Sequence, residues 1–169
     1  MQYTMIAKME NKPGVLNRIA SLFRRRNYNI ESLNVGHTEN PEISRMTIVV
    51  DGTPETVKII EANLYKLVNV IDVQDLTSQP TVTRDLALIK VQATPEKRSE
   101  IASLADIFRA KIVDVASDSV IVEITGTEEK IEGLVELLTP MGILEMVRTG
   151  QVAMLRGKTQ SGASLSDTY

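Results

Sequence analysis

Residues 11–23 read NKPGVLNRIASLF, and the fold is decided there. Val15, Leu16, Ile19, Ala20, Leu22 and Phe23 recur at helical spacing and form one apolar stripe. The stripe begins abruptly behind a proline and a glycine. Pro13, with φ fixed near the helical value, suits the first helical position, and Lys12 before it is held extended. A helix opening at this point leaves the N–H groups of Gly14, Val15 and Leu16 without partners inside the helix.

On either side of the stripe the apolar period changes to two. Tyr3, Met5, Ala7 and Met9 alternate before it, and Leu33, Val35 and His37 alternate after it. Met46, Ile48 and Val50 continue as a further strand beyond the Asn40-Pro41 turn signal. A second helical stripe of Val57, Ile60, Leu64 and Leu67 follows, then a strand over 70–75. The order is βαββαβ. Ser78-Gln79-Pro80-Thr81 then reads as a linker, and the order repeats: a strand over 86–93, a helix stripe of Ile101, Leu104, Ala105 and Phe108, strands over 112–115 and 120–124, a helix stripe of Ile131, Leu134, Val135 and Leu138, and a strand from Ile143 that can run on past Gly150 to Leu155.

The reading is therefore α+β, with two ferredoxin-like βαββαβ domains, each carrying two helices on one face of an antiparallel four-stranded sheet. The domains span residues 1–77 and 84–157, with a linker at 78–83 and a mobile Gly/Ser/Thr-rich tail at 158–169. Each sheet is left with one bare face, and a domain of this size buries only about 60% of its unfolded surface. Self-association through sheet edges or bare faces is the expected remedy, at least to a homodimer.

Composition narrows the function. The 169 residues include no cysteine, one histidine and no tryptophan, with a net charge of −3. Disulfides, thiolate chemistry and Cys-ligated zinc are excluded. No basic patch marks a nucleic-acid partner, and the third strand, Met46-Thr47-Ile48-Val49-Val50, lacks the aromatic rings on which an RNA-recognition module stacks bases. Arg24, Arg25 and Arg26 read as a solvated helix end, where cations favour the dipole. No apolar run is long enough to span a bilayer and no secretory signal pattern opens the chain, so a cytoplasmic location is expected. His37 is the only candidate base, and no Gly-x-Ser-x-Gly turn presents a nucleophile to it. Gly157-Lys158-Thr159 mimics a phosphate loop, but the preceding glycine, Gly150, stands at the wrong spacing and no helix pattern follows. No catalytic or metal residues are assigned.

The helix mouth remains. Free N–H groups at the positive end of a helix dipole attract an anion, and Gly14, without a Cβ, lets a ligand reach the backbone. The amide oxygens of Asn11 and Asn29 suit an ammonium group. Together these match a zwitterionic α-amino acid, although proline and glycine also open ordinary helices.

"ENKPGVLNRIASLF" from Glu10, followed by "NYNIESLNVG" from Asn27, resembles the start of an ACT domain. With Ser44-Arg45-Met46-Thr47-Ile48 and "DIFRAKIVDV" from Asp106, the chain through about Gly157 resembles the regulatory small subunits of acetolactate synthase, also called acetohydroxyacid synthase. The resemblance implies a non-catalytic chain that binds the large catalytic subunit, raises its activity, and confers feedback inhibition by a branched-chain amino acid, typically valine. Thiamine diphosphate, Mg²⁺ and FAD are then carried by the catalytic partner and none by this chain. It further implies ACT domains paired side by side, with the effector at the dimer interface among Asn11, Gly14, Val15 and Leu16 of one protomer and Asn29 and Ile30 of the facing strand. The ligand's aliphatic side chain packs on Leu16, Ile30 and Val35. A stand-alone ACT sensor acting on another enzyme or a transcription factor is the alternative; it needs neither the second domain nor a thiamine enzyme.

Overall fold

The computed structural model describes residues 1–157; the tail expected over 158–169 lies outside them. Two compact units divide the chain, one formed by Met1–Val82 with the segment from Ala153, the other by Thr83–Val152. Both are ferredoxin-like βαββαβ units, and the fold class is α+β.

The first unit runs β1 (Gln2–Glu10), α1 (Val15–Arg26), β2 (Ile30–His37), β3 (Ile43–Asp51), α2 (Pro54–Tyr65) and β4 (Val70–Asp75). Its sheet has the order β2-β3-β1-β4, and the pairings are antiparallel. Tyr3, Met5, Ala7 and Met9 face the helices as the alternation predicts, and they pack with Val15, Ile19, Phe23, Met46, Ile48, Val50, Val57, Ile60 and Leu64. Ile19 and Phe23 are each 2% exposed, and burial of such side chains is worth about 1.5–3 kcal/mol apiece. That is what anchors α1.

Helix α1 stops at Asn27, whose φ of 55° is left-handed. The Asn27 N–H donates to Arg24 O and the Tyr28 N–H to Phe23 O, each at 3.2 Å. The Tyr28 ring packs edge-on against Phe23, with centroids 6.5 Å apart. This pair of backward bonds with its apolar clasp satisfies the last carbonyls and turns the chain into β2.

The outer face of this sheet is not bare. Ile6 on β1 and Leu76 after β4 pack with Ala153 from the far end of the chain, and the three are 3%, 2% and 4% exposed. Arg45 on β3 donates from Nη2 to Ala153 O at 2.7 Å. Partial burial pushes the Arg45 guanidinium below its ordinary range. The two edges of the sheet also differ. On β4 the Tyr65 hydroxyl donates to Val73 O and accepts from the Val73 N–H, plugging that edge. On β2, Leu33 and Val35 each stand 39% exposed.

The second unit contains most of β5 (Thr81–Gln92), then α3 (Arg98–Ile107), β6 (Lys111–Val115), β7 (Ser119–Gly126), α4 (Glu128–Leu138) and β8 (Ile143–Arg148). The strand order is β6-β7-β5-β8. Its core is Ala87, Ile89, Val91, Ile101, Val120, Val122, Ile124, Ile131, Leu134 and Leu138, with Ala93, Ala105 and Ala110. Thr127 caps α4 through its side chain, and Glu128 and Glu129 occupy the first turn where the dipole favours acids. Arg148 bonds Asp85 at 2.8 Å and also Glu132. Two strand limits differ from the sequence reading. Strand β5 begins at Thr81, inside the stretch read as linker. The last strand also breaks at Gly150, φ 86°, so that β9 (Val152–Leu155) is a separate element pairing with β5.

Candidate functional site

The mouth of α1 is built differently from the sequence expectation. Lys12-Pro13-Gly14-Val15 form a tight turn, with Gly14 at φ 85° and ψ −10° and the Val15 N–H donating to Lys12 O at 3.4 Å. Those angles are those of the third residue of a type II turn, where glycine is required and proline precedes it. Pro13 thus occupies the second turn position, not the first helical one, and Gly14 is the N-cap. Proline and glycine in succession fit both patterns; the left-handed glycine decides for the turn.

The set of free amides shifts accordingly. The Val15 N–H closes the turn, and its side chain is in the core, 4% exposed. The first helical bond runs from the Arg18 N–H to Gly14 O. Among the described residues, the N–H groups of Gly14, Leu16 and Asn17 have no partner. A Cβ built on Gly14 would meet nothing within 4 Å, so the approach to these donors is open. Beside the turn the Lys12 ammonium holds Glu10 at 2.9 Å, and hydrogen bonds from Lys12 and Asn69 keep the Glu10 carboxyl below its usual range.

Asn11 is fixed beside this mouth. Its backbone N–H donates to Glu42 O at 2.7 Å, and its Nδ2 donates to Pro41 O at 2.9 Å and to His37 Nδ1 at 3.1 Å. With the amide nitrogen committed, Oδ1 is the atom left to accept. His37 sits at the C-terminal end of β2, and sequence reasoning had no means of pairing it with a residue 26 positions earlier. Val35 and His37 pair with Met46 and Ser44 of β3 and share the helix-side face of β2.

The flank of α1 above that edge can be assigned from the helical period. Val15, Ile19 and Phe23 face the sheet, while Arg18, Leu22 and Arg25 line a groove toward α2. Leu16, 45% exposed, and Ala20 are therefore on the opposite flank, toward β2.

Asn29 and Ile30 lie elsewhere. They are at the N-terminal end of β2; Asn29 is exposed with its Nδ2 on the Glu31 carboxylate, and Ile30 packs half-buried against the core. At about 3.3 Å per residue, the length of β2 separates Ile30 from His37 by about 23 Å. Within one chain Asn11, Gly14, Leu16 and Val35 gather at one end of β2, and Asn29 with Ile30 stands at the other.

Among the described residues there is no group of three or more His, Cys, Asp or Glu side chains able to hold a metal ion, and no helix long and apolar enough to cross a membrane.

Two family models match the chain. Residues 6–72 match the AHAS small subunit-like ACT domain, and residues 84–157 match the small subunit of acetolactate synthase. The chain is 52% identical over 157 residues to the "Probable acetolactate synthase small subunit" of Archaeoglobus fulgidus, covering 93% of this chain and 98% of that protein. It is 49% identical over 155 residues to the acetolactate synthase small subunit of Bacillus subtilis, covering 91% and 90%. The crystal structure of the acetolactate synthase small subunit from Thermotoga maritima superposes with a TM-score of 0.87 at 41% identity, covering 94% of this chain and 99% of that one. An ACT unit with its glycine-capped helix mouth, followed by a second unit matching the same subunit, places this chain in the acetolactate synthase small-subunit family.

Proposed function

We propose that this chain is a non-catalytic regulatory subunit. In this reading it binds the large catalytic subunit of acetolactate synthase, raises its activity, and makes it sensitive to inhibition by a branched-chain amino acid, valine foremost. Thiamine diphosphate, Mg²⁺ and FAD belong to the catalytic partner. The effector carboxylate takes the free N–H groups at the mouth of α1, its ammonium takes amide oxygens, and its side chain lies against Leu16, Ile30 and Val35.

The separation of Asn11 from Asn29 carries the reading. If the β2 edges of two copies pair antiparallel about their middles, the first residue of one strand stands opposite the last of the other. Asn29 and Ile30 of one copy then reach Gly14, Val35 and Asn11 of the second. The plugged β4 edge and the covered outer face of the sheet support β2 as the surface of association.

The test mixes two defective variants. Gly14→Asp spoils the mouth and Asn29→Leu removes the facing amide, so each homodimer loses effector binding in calorimetric titration with valine, leucine or isoleucine. A mixed dimer rebuilds one intact site out of two, and since random exchange makes half of the dimers mixed, about a quarter of the wild-type stoichiometry is expected from an equal mixture. Mixtures that bind no better than either variant refute the shared site. Titration of the wild-type chain with its large subunit tests activation separately.

A further inference from the structure

Helices α1 and α2 enclose a groove on the solvent side of the first unit, lined among others by Arg18, Leu22, Arg25, Arg26, Lys66 and Leu67. Four of these residues are basic, yet the whole chain carries a net charge of −3. Among the described residues none of the four pairs with a carboxylate; the ion pairs lie elsewhere. Instead, Arg18 donates to Asn69 Oδ1 at 2.9 Å, and Arg26 to Asn63 Oδ1 at 3.4 Å. Neutral amides thus steady two guanidinium groups without discharging them. The half-buried Leu22 and Leu67 pack onto the core beneath.

Spacing and chemistry identify the occupant. Arg18, Leu22 and Arg25 follow at i, i+4 and i+7 along one flank of α1, so the Cα atoms of the two arginines are about 10.5 Å apart along the axis with an apolar residue between them. A small polyanion concentrates its charge and gains nothing from the leucines. A helix presenting carboxylates seven residues apart around an aliphatic side chain satisfies both features. We infer that the α1–α2 groove, through Arg18, Arg25, Arg26 and Lys66, docks an acidic amphipathic helix of the catalytic large subunit. This rests on the proposed partnership and names its surface. The groove is on the flank of α1 opposite Leu16, and Asn17, whose N–H is one of the free donors of the mouth, lines its end nearest that mouth.

The experiment uses the full chain and its large subunit. Affinity is measured by calorimetry at 0.15 M and 1 M salt for wild type, Arg18→Glu/Arg25→Glu and Arg18→Lys/Arg25→Lys, with thermal melts and valine titration as controls of the fold. The reversed pair is expected to weaken association by about 30-fold or more at 0.15 M salt. The difference should shrink at 1 M, where the screening length falls from about 8 Å to about 3 Å. The lysine pair, which keeps the charge, should stay within about fivefold of wild type. A folded, valine-binding reversed variant that associates like wild type overturns the inference and leaves the partnership standing. Failure of wild type itself to associate removes the partnership and the inference with it. Competition by inorganic pyrophosphate at micromolar concentration, with the large subunit displaced, would assign the groove to a small anion and also overturn it.

Discussion

Replacing Gly14 separates the two roles this residue has in the proposed site. At φ 85° any L side chain carries a left-handed backbone cost of about 1–2 kcal/mol, less for Asn and Asp. The space around an added Cβ is open, so no steric penalty accompanies it. Gly14→Asp and Gly14→Asn are therefore both expected to fold, each melting a few degrees lower, since about 1 kcal/mol shifts a domain of 60–100 residues by about 4–8 °C. They differ in charge alone. An effector carboxylate on the Leu16 and Asn17 N–H groups would lie about 4 Å from the side-chain carboxylate that Gly14→Asp introduces, and at an effective dielectric constant of about 20 the two repel by about 4 kcal/mol. Each 1.4 kcal/mol or so is a factor of ten in affinity, so Gly14→Asp should bind valine about a thousandfold more weakly than Gly14→Asn. Calorimetric titration of both, with activation of the large subunit assayed in parallel, measures this directly. Activation is expected to survive in both. Equal valine affinities for the two variants, with both proteins folded, would refute the placement of the effector carboxylate at this helix end.

Three further outcomes follow from the fold. Tyr65→Phe removes the hydroxyl that satisfies Val73 at the β4 edge; a loss of about 1–3 kcal/mol in urea unfolding and a rise in light scattering are expected. Leu76→Ala opens the outer-face cluster with Ile6 and Ala153 and should cost about 2–5 kcal/mol in the same unfolding measurement. The folded-state pKa of Glu10 is lowered from its ordinary 4.5 by Lys12 and Asn69, so its contribution to stability is present above that value and lost as pH falls through the folded pKa. Melting temperatures of wild type and Glu10→Gln should therefore differ at neutral pH and converge on acidification below the ordinary value.

The elements were legible because each apolar period had one physical meaning. Met5, Ala7 and Met9 alternate since only one face of β1 meets the helices, and Val15, Ile19 and Phe23 recur because one stripe of α1 does. What escaped was local competition and distant pairing. Pro13-Gly14 suits a helix start and a type II turn equally well until the sign of the glycine φ is known. No local signal ties His37 to Asn11, or Ala153 to Ile6, because those contacts depend on the closed sheet. The residues of the helix mouth could be nominated from sequence, whereas the distance that separates Asn29 from them needed the length of β2.

The contact of Ala153 with Ile6 and Leu76 also bears on how the chain is made. Residue 6 leaves the ribosome early, but the strap over its face arrives almost 150 residues later. Domains generally fold as units in the order of synthesis, yet here the outer face of the first sheet waits on Ala153, which follows the second unit in sequence. Until then Ile6 and Leu76 present an apolar face to the cell, an interval in which a chaperone or a second nascent chain has its best opportunity to bind. A ribosome stalled just before Ala153 should hold a first unit that is ordered on its helix side and open on the other.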